Sequence, residues 1–211
     1  MSITHEEIAK TIREAQDEII PTNPQLDFAL SNSTAKGLPP IAIGPAQGQF
    51  LSILCKSIQA KNILEVGTLG GYSTLFFASS VPGVQVTTLE LREHHRDVAL
   101  ENLKGLDNVE SLLGPALDLL PKLAEQGKVF DFIFIDADNA NQDKYFDWGV
   151  KLVRPGGIIY VDNAIRRITD WARDEPTRLN LIDQVKGDKR VRASLIPTLN
   201  YGSSSSSLLP G

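Results

Sequence analysis

From Asn62 onward the sequence alternates short β-branched or apolar runs with helical ones, and this alternation restricts the fold more than any other feature. The strand-like runs are Asn62–Val66, Gln85–Leu89, Val109–Leu113, Phe130–Ile135 and Ile158–Val161. Between them, Tyr72–Ser79, Glu93–Leu103, Pro115–Glu125 and Gln142–Leu152 have helical character. Strands separated by helices pair most readily in parallel, with the helices covering both faces of the sheet. The expected fold class is therefore α/β, with a mostly parallel central sheet. Ligands of such sheets bind beyond the C-terminal strand ends, where the strand order reverses. The polar residues just after each run are the ones to weigh.

Extra helices precede this pattern. Thr4 and Glu7 have capping-box spacing, followed by Ile8, Ile12, Ala15 and Ile19 at helical period, with Pro21 as the stop. A second helix is expected over Gln25–Lys36, ended by Gly37, and a third over Pro45–Ser57. Beyond the sheet, Thr177–Gly187 is expected to be helical and Val191–Ile196 strand-like, before Gly202 and the serines Ser203–Ser207, a low-complexity stretch. A chain of 211 residues suits one folded domain. The division expected is an N-terminal helical extension (1–44), a core (45–200) and a tail (201–211).

Composition narrows the partners. The net charge is −5 with no block of Lys or Arg, which argues against nucleic acid and against an anionic membrane surface. The acidic start, Met1 to Glu7, does not resemble a signal peptide, and no apolar run is long enough to span a bilayer, so a cytoplasmic location is expected. The single cysteine, Cys55, excludes an internal disulfide and lies at helical spacing among apolar residues, as a buried core residue would.

The first strand runs into Glu65-Val66-Gly67-Thr68-Leu69-Gly70-Gly71-Tyr72-Ser73. Glycines there allow close backbone approach, and the helix that follows offers unpaired N–H groups to a ligand. The same loop could be no more than a tight turn. Leu69 stands where G-x-G-x-x-G requires glycine, which weakens a nicotinamide-dependent oxidoreductase reading. Glu90 ends the second strand, where a carboxylate can bind both hydroxyls of a ribose; taken alone it also suits a surface glutamate. Asp136 ends the fourth run, and Asp162 and Asn163 end the fifth. Two carboxylates and an amide oxygen are hard ligands suited to Mg²⁺ or a similar divalent ion, although Asp162 or Asn163 could equally cap a helix.

Together these residues resemble the cation-dependent O-methyltransferase family that includes catechol and caffeoyl-CoA O-methyltransferases. The resemblance covers roughly Leu38 to Asn163. Besides the glycine loop and Glu90 it rests on Pro45-Ala46-Gln47-Gly48-Gln49, Gly114-Pro115-Ala116-Leu117, Asp136-Ala137-Asp138, Arg154-Pro155-Gly156-Gly157 and Asp162-Asn163. It implies a Rossmann-like class I methyltransferase fold that uses S-adenosylmethionine and Mg²⁺ to methylate a hydroxyl of a small aromatic acceptor. By resemblance, Ile43, Glu65, Gly67, Thr68 and Ser73 would surround the methionine part of the cofactor, with Tyr72 shaping that pocket. Glu90 would bind the ribose, and Leu91 and Ala116 would flank the adenine. Asp136, Asp162 and Asn163 would hold the metal, Asp136 also lying near the transferred methyl. A homodimer is implied as well.

The chain departs from the family in three places. Relatives carry a lysine after Asp-Ala-Asp that deprotonates the hydroxyl; here the residue is Asn139. Lys144 is the nearest substitute in sequence, and it equally suits an exposed helix lysine. The segment Ala164–Trp171 replaces a glycine-containing loop, and its Arg166, Arg167 and Trp171 are candidates for an acceptor pocket, although Trp171 suits an interface or the core at least as well. Finally, relatives end in a strand that the serine-rich tail does not supply. Asn139 and the tail keep a second expectation open, a catalytically weak relative that serves as a cofactor-binding module.

Overall fold

The computed structural model describes residues 4–164 and 181–196. Three helices come first: α1 (His5–Ile19), α2 (Pro24–Ala35) and α3 (Pro45–Ser57). Thr4 closes the capping box on α1, its hydroxyl accepting the Glu7 N–H at 3.2 Å while the Glu7 carboxylate accepts the Thr4 N–H at 2.8 Å. Asn23 caps α2 ahead of Pro24, whose missing N–H falls where a helix has no internal partner for it. Gly37 follows at φ +76°, the left-handed stop that its position predicted.

Strands and helices then alternate: β1 (Asn62–Val66), α4 (Tyr72–Ala78), β2 (Gln85–Glu90), α5 (Glu93–Asn102), β3 (Val109–Leu113), α6 (Ala116–Glu125), β4 (Phe130–Ile135), α7 (Gln142–Leu152) and β5 (Val153–Val161). A short helix, α8 (Leu181–Gly187), follows. The strands form one parallel sheet in the order β3-β2-β1-β4-β5. The chain builds outward from β1 to β3, then returns to place β4 on the other side of β1. The switch point therefore lies beyond Val66 and Ile135, which are partners in register.

The strand period of two divides the core. Ile63, Val86, Phe132 and Phe134 face α3 and α4; Leu64, Val66, Leu89, Ile133 and Ile135 face α6 and α7. Phe77 of α4 is fully buried against Phe132 and Phe134, ring centroids 5.8 and 5.4 Å away. Burial of one such ring stabilises the fold by about 1.5–3 kcal/mol. Cys55 lies in this core with no exposed surface, and burial pushes its thiol up to about 12.

Two expectations need correction. β5 begins at Val153, before the predicted Ile158. Its Arg154-Pro155-Gly156-Gly157 segment bulges between the pairs Phe130–Val153 and Phe132–Ile158, so the chain stays in the sheet through what looks like a turn. Val191–Ile196 forms no strand; Leu195 and Ile196 are exposed there, and an apolar run becomes a strand only where a partner completes its ladder. The expected helix at Thr177 is seen only from Leu181, because 165–180 lie outside the described residues, as does the tail. No helix among the described residues is long and apolar enough to cross a membrane.

Candidate functional site

A cleft of about 1370 Å³ opens at the switch point. The loop after β1 contributes Gly67, Thr68, Leu69 and Gly70, and the start of α4 contributes Tyr72 and Ser73. Glu90 and Leu91 come from the end of β2, Ala116 from the start of α6, Asp136 to Asn139 from beyond β4, and Asn163 from beyond β5. An apolar wall of Ile12, Ile20, Leu30, Ile41, Ile43 and Phe50 is supplied by the N-terminal helices and their connections.

The loop is shaped by backbone that few residues tolerate. Gly67 has φ +103°, and a Cβ there would lie 2.1 Å from the Asp136 carbonyl oxygen, so only glycine fits. Leu69 is left-handed at φ +50° without being glycine, a strained state that persists only when its surroundings enforce it. Glu90 is one such constraint. Its Oε2 accepts the N–H groups of Thr68 at 3.2 Å and Leu69 at 2.8 Å, and its Oε1 accepts the Arg92 N–H at 2.9 Å. His95 Nδ1 lies 3.6 Å from Oε1, and burial keeps this imidazole below its usual pKa.

Glu65 does not line the cleft. The strand period that points Ile63 into the core points Glu65 there too, with no exposed surface, beside its register partner Thr88. Its carboxylate accepts the hydroxyls of Ser73 at 2.5 Å, Thr74 at 2.5 Å and Thr88 at 2.6 Å. Thr88 in turn shares a 2.6 Å bond with Thr68. Glu65 therefore meets the cleft through Ser73 and Thr68. Burial pushes its pKa from 4.5 to about 7, opposed by the three hydroxyls. Because the folded-state pKa is the higher one, the folded protein retains this proton between pH 4.5 and 7, and the associated stability is lost as pH rises through 7. Glu65→Gln, which cannot ionise, should gain on the parent protein by on the order of 3 kcal/mol between pH 5 and 8. Urea midpoints at the two pH values test this; a difference independent of pH would exclude it.

Asp136 and Asp162 follow the register partners Ile135 and Val161. The Asp136 N–H donates to the Val66 carbonyl and the Asp162 N–H to the Ile135 carbonyl, both at 2.9 Å, so the ladder continues one residue past the sheet. Asn163, at φ +55°, donates its amide Nδ2 to Asp162 Oδ2 at 3.0 Å, which turns its oxygen away from that carboxylate. Asp136 and Asn163 line the cleft, whereas Asp162 does not. Two carboxylates and an amide oxygen suit a hard divalent ion. Among the described residues, no group of three or more His, Cys, Asp or Glu is placed to hold a metal.

Asn139 lines the cleft, whereas Lys144 does not. Lys144 borders a smaller, more open hollow with Asp143, Asp147 and Trp148, and its ammonium donates to Asn141 Oδ1 at 3.0 Å. Asn139 lies in the turn that precedes α7, whereas Lys144 projects from the first turn of α7 into the smaller hollow. Arg166, Arg167 and Trp171 lie outside the described residues. His95 and Tyr145 line the cleft and were not anticipated. Tyr145 donates its hydroxyl to Asp138, and burial together with that carboxylate raises its pKa. Both sit within helices rather than at strand ends, so strand-end reasoning passes over them.

Comparison with known proteins agrees with this geometry. A family described as O-methyltransferase matches residues 22–202. The chain is 46% identical over 152 residues to a catechol O-methyltransferase of Mycobacterium tuberculosis, covering 70% of this chain and 68% of the other. It is 43% identical over 176 residues to a catechol O-methyltransferase of Niastella koreensis, covering 80% and 76%. The solved O-methyltransferase from Bacillus cereus in complex with SAH superposes with a TM-score of 0.71 at 42% identity, over 74% of this chain and 73% of that one.

Proposed function

Since the chain belongs to the O-methyltransferase family, we propose that it transfers the methyl of S-adenosylmethionine to a hydroxyl of a small aromatic acceptor with adjacent hydroxyls, aided by a divalent ion. The observation that carries this reading is the meeting, in one cleft, of the glycine loop, Glu90 and the Asp136–Asn163 strand ends. When bound, the cofactor supplies an electrophilic methyl on a sulfonium, and the cation acidifies an acceptor hydroxyl and fixes its neighbour.

The chain's own residues do the positioning. Gly67, Thr68 and Ser73 hold the methionine part, with Glu65 orienting Ser73 from beneath and Ile43 and Tyr72 closing the sides. Glu90 receives the ribose hydroxyls, and Leu91 and Ala116 enclose the adenine. Asp136, Asp162 and Asn163 would hold the cation. Asn139 cannot accept a proton at neutral pH, so the hydroxyl proton leaves to water. General-base catalysis is typically worth about 10²–10⁴-fold, which makes this a slow enzyme on weakly acidic phenols.

Asn139 also supports a second reading, a cofactor-binding relative with little turnover. A methyl-transfer screen over dihydroxylated aromatics, with and without Mg²⁺, separates the two. The first reading expects a methylated product that depends on Mg²⁺, and a faster reaction in Asn139→Lys. Tight S-adenosylhomocysteine binding without turnover in either protein would support the second.

A further inference from the structure

One deeply buried polar side chain next to the cleft has no part in the scheme above. Asn102, the last residue of α5, is 2% exposed and does not line the cleft. Its Nδ2 donates to the Gly70 carbonyl at 2.8 Å, with Ser33 Oγ at 3.2 Å and the Ala29 carbonyl at 3.3 Å as further acceptors. Its Oδ1 accepts from Asn32 Nδ2 at 2.8 Å. An amide has two N–H bonds; the shortest contact takes one, and Ser33 and Ala29 of α2 share the other.

Gly70 sits between two left-handed residues, Leu69 at φ +50° and Gly71 at φ +77°. Such backbone stays in place only if it is held on several sides. Glu90 holds the N–H side of Thr68 and Leu69, and Asn102 holds the carbonyl side at Gly70. Gly70 is also pressed against α2, since a Cβ there would lie 2.1 Å from Ser33 Oγ. The loop is thus gripped from β2 on one side and from α5 and α2 on the other.

We propose that Asn102 is a positioning residue for the cofactor loop: by fixing the Gly70 carbonyl it aims the loop backbone and Ser73 into the cleft, and it makes α2 a structural part of the cofactor site. This rests on the reading of the cleft as an S-adenosylmethionine site. The competing explanation is that Asn102 only fastens α5 to α2.

Asn32→Ala separates these explanations. It removes the bonds from α2 to Asn102 Oδ1 and to Glu101 but leaves the bond to Gly70. Asn102→Asp keeps the size of the side chain and removes its amide donor. Calorimetry with S-adenosylhomocysteine should show Kd raised about tenfold or more in Asn102→Asp, the effect of one lost buried hydrogen bond. KM for S-adenosylmethionine should rise in parallel, with kcat at saturating cofactor within about twofold. Asn32→Ala should lower Tm yet leave Kd within about threefold. Hydrogen exchange on the unaltered protein gives a reading that does not depend on any variant folding: S-adenosylhomocysteine should raise amide protection in residues 99–103, none of which lines the cleft, as well as in 68–71. Equal Kd changes in the Asn102 and Asn32 variants, or protection confined to the loop, overturns the proposal while leaving the methyltransferase reading intact. If the unaltered protein binds no S-adenosylhomocysteine, both fall together.

Discussion

Replacing Glu90 with alanine should weaken S-adenosylhomocysteine binding by about 100-fold or more, the largest effect expected of any single side chain in the cleft. Two losses combine. Charge-assisted hydrogen bonds are worth about 1.5–3 kcal/mol each, and the ribose diol would lose its acceptor. The N–H groups of Thr68 and Leu69 would also lose theirs, in a loop whose Leu69 is already strained. Glu90→Gln should fall between the two proteins, because one amide oxygen can still accept but the nitrogen cannot. Titration calorimetry measures all three. A change below about threefold in Glu90→Ala would show that the ribose lies elsewhere.

The second large effect is expected at the other end of the cleft. Asp162→Ala should reduce kcat/KM measured with Mg²⁺ by about 10³-fold or more, equivalent to roughly 4 kcal/mol of transition-state stabilisation. The residual rate should no longer respond to chelator. Asp162 supports this end twice: its N–H continues the sheet ladder to Ile135, and its carboxylate accepts the Asn163 amide. Alanine keeps that backbone N–H, so the substitution removes only the carboxylate, and with it the acceptor that fixes the rotation of the Asn163 amide. S-adenosylhomocysteine affinity serves as the internal control and should change little. Full activity in chelator, in either protein, would falsify the cation assignment.

How much of this was legible in the sequence depended on whether a local pattern carried the information. Apolar periodicity located every strand of the sheet, and Pro45, Gly37 and the Thr4–Glu7 box marked helix ends because each acts through its immediate neighbours. Strand-end logic likewise brought Gly67, Glu90, Asp136 and Asn163 to one cleft. It failed where the decisive partner was distant. Strand-end position alone does not show that the pleat turns Glu65 into the core, where it accepts from Ser73, Thr74 and Thr88 and meets the cleft through Ser73. Arg154 to Gly157 has turn composition, but pairing with β4 holds it in the sheet. Val191–Ile196 has strand composition and no ladder. Asn102 resembles any polar residue near a helix end, and only the fold brings Gly70 to it.

The strand order has a consequence for how the site comes into being. Val66 and Ile135 are neighbours in the sheet although β2, α5, β3 and α6 all intervene in sequence. Pairing across so long a stretch of chain has a high entropic cost and forms slowly. A nascent chain released only as far as α6 already carries the whole glycine loop and Glu90, but has neither the strand that completes β1 nor the carboxylates beyond it. Glycine-loop backbone and Asp136 come into contact only when β4 inserts at the vacant edge of β1, so on the ribosome the ability to recognise a ligand should emerge late and in a single step.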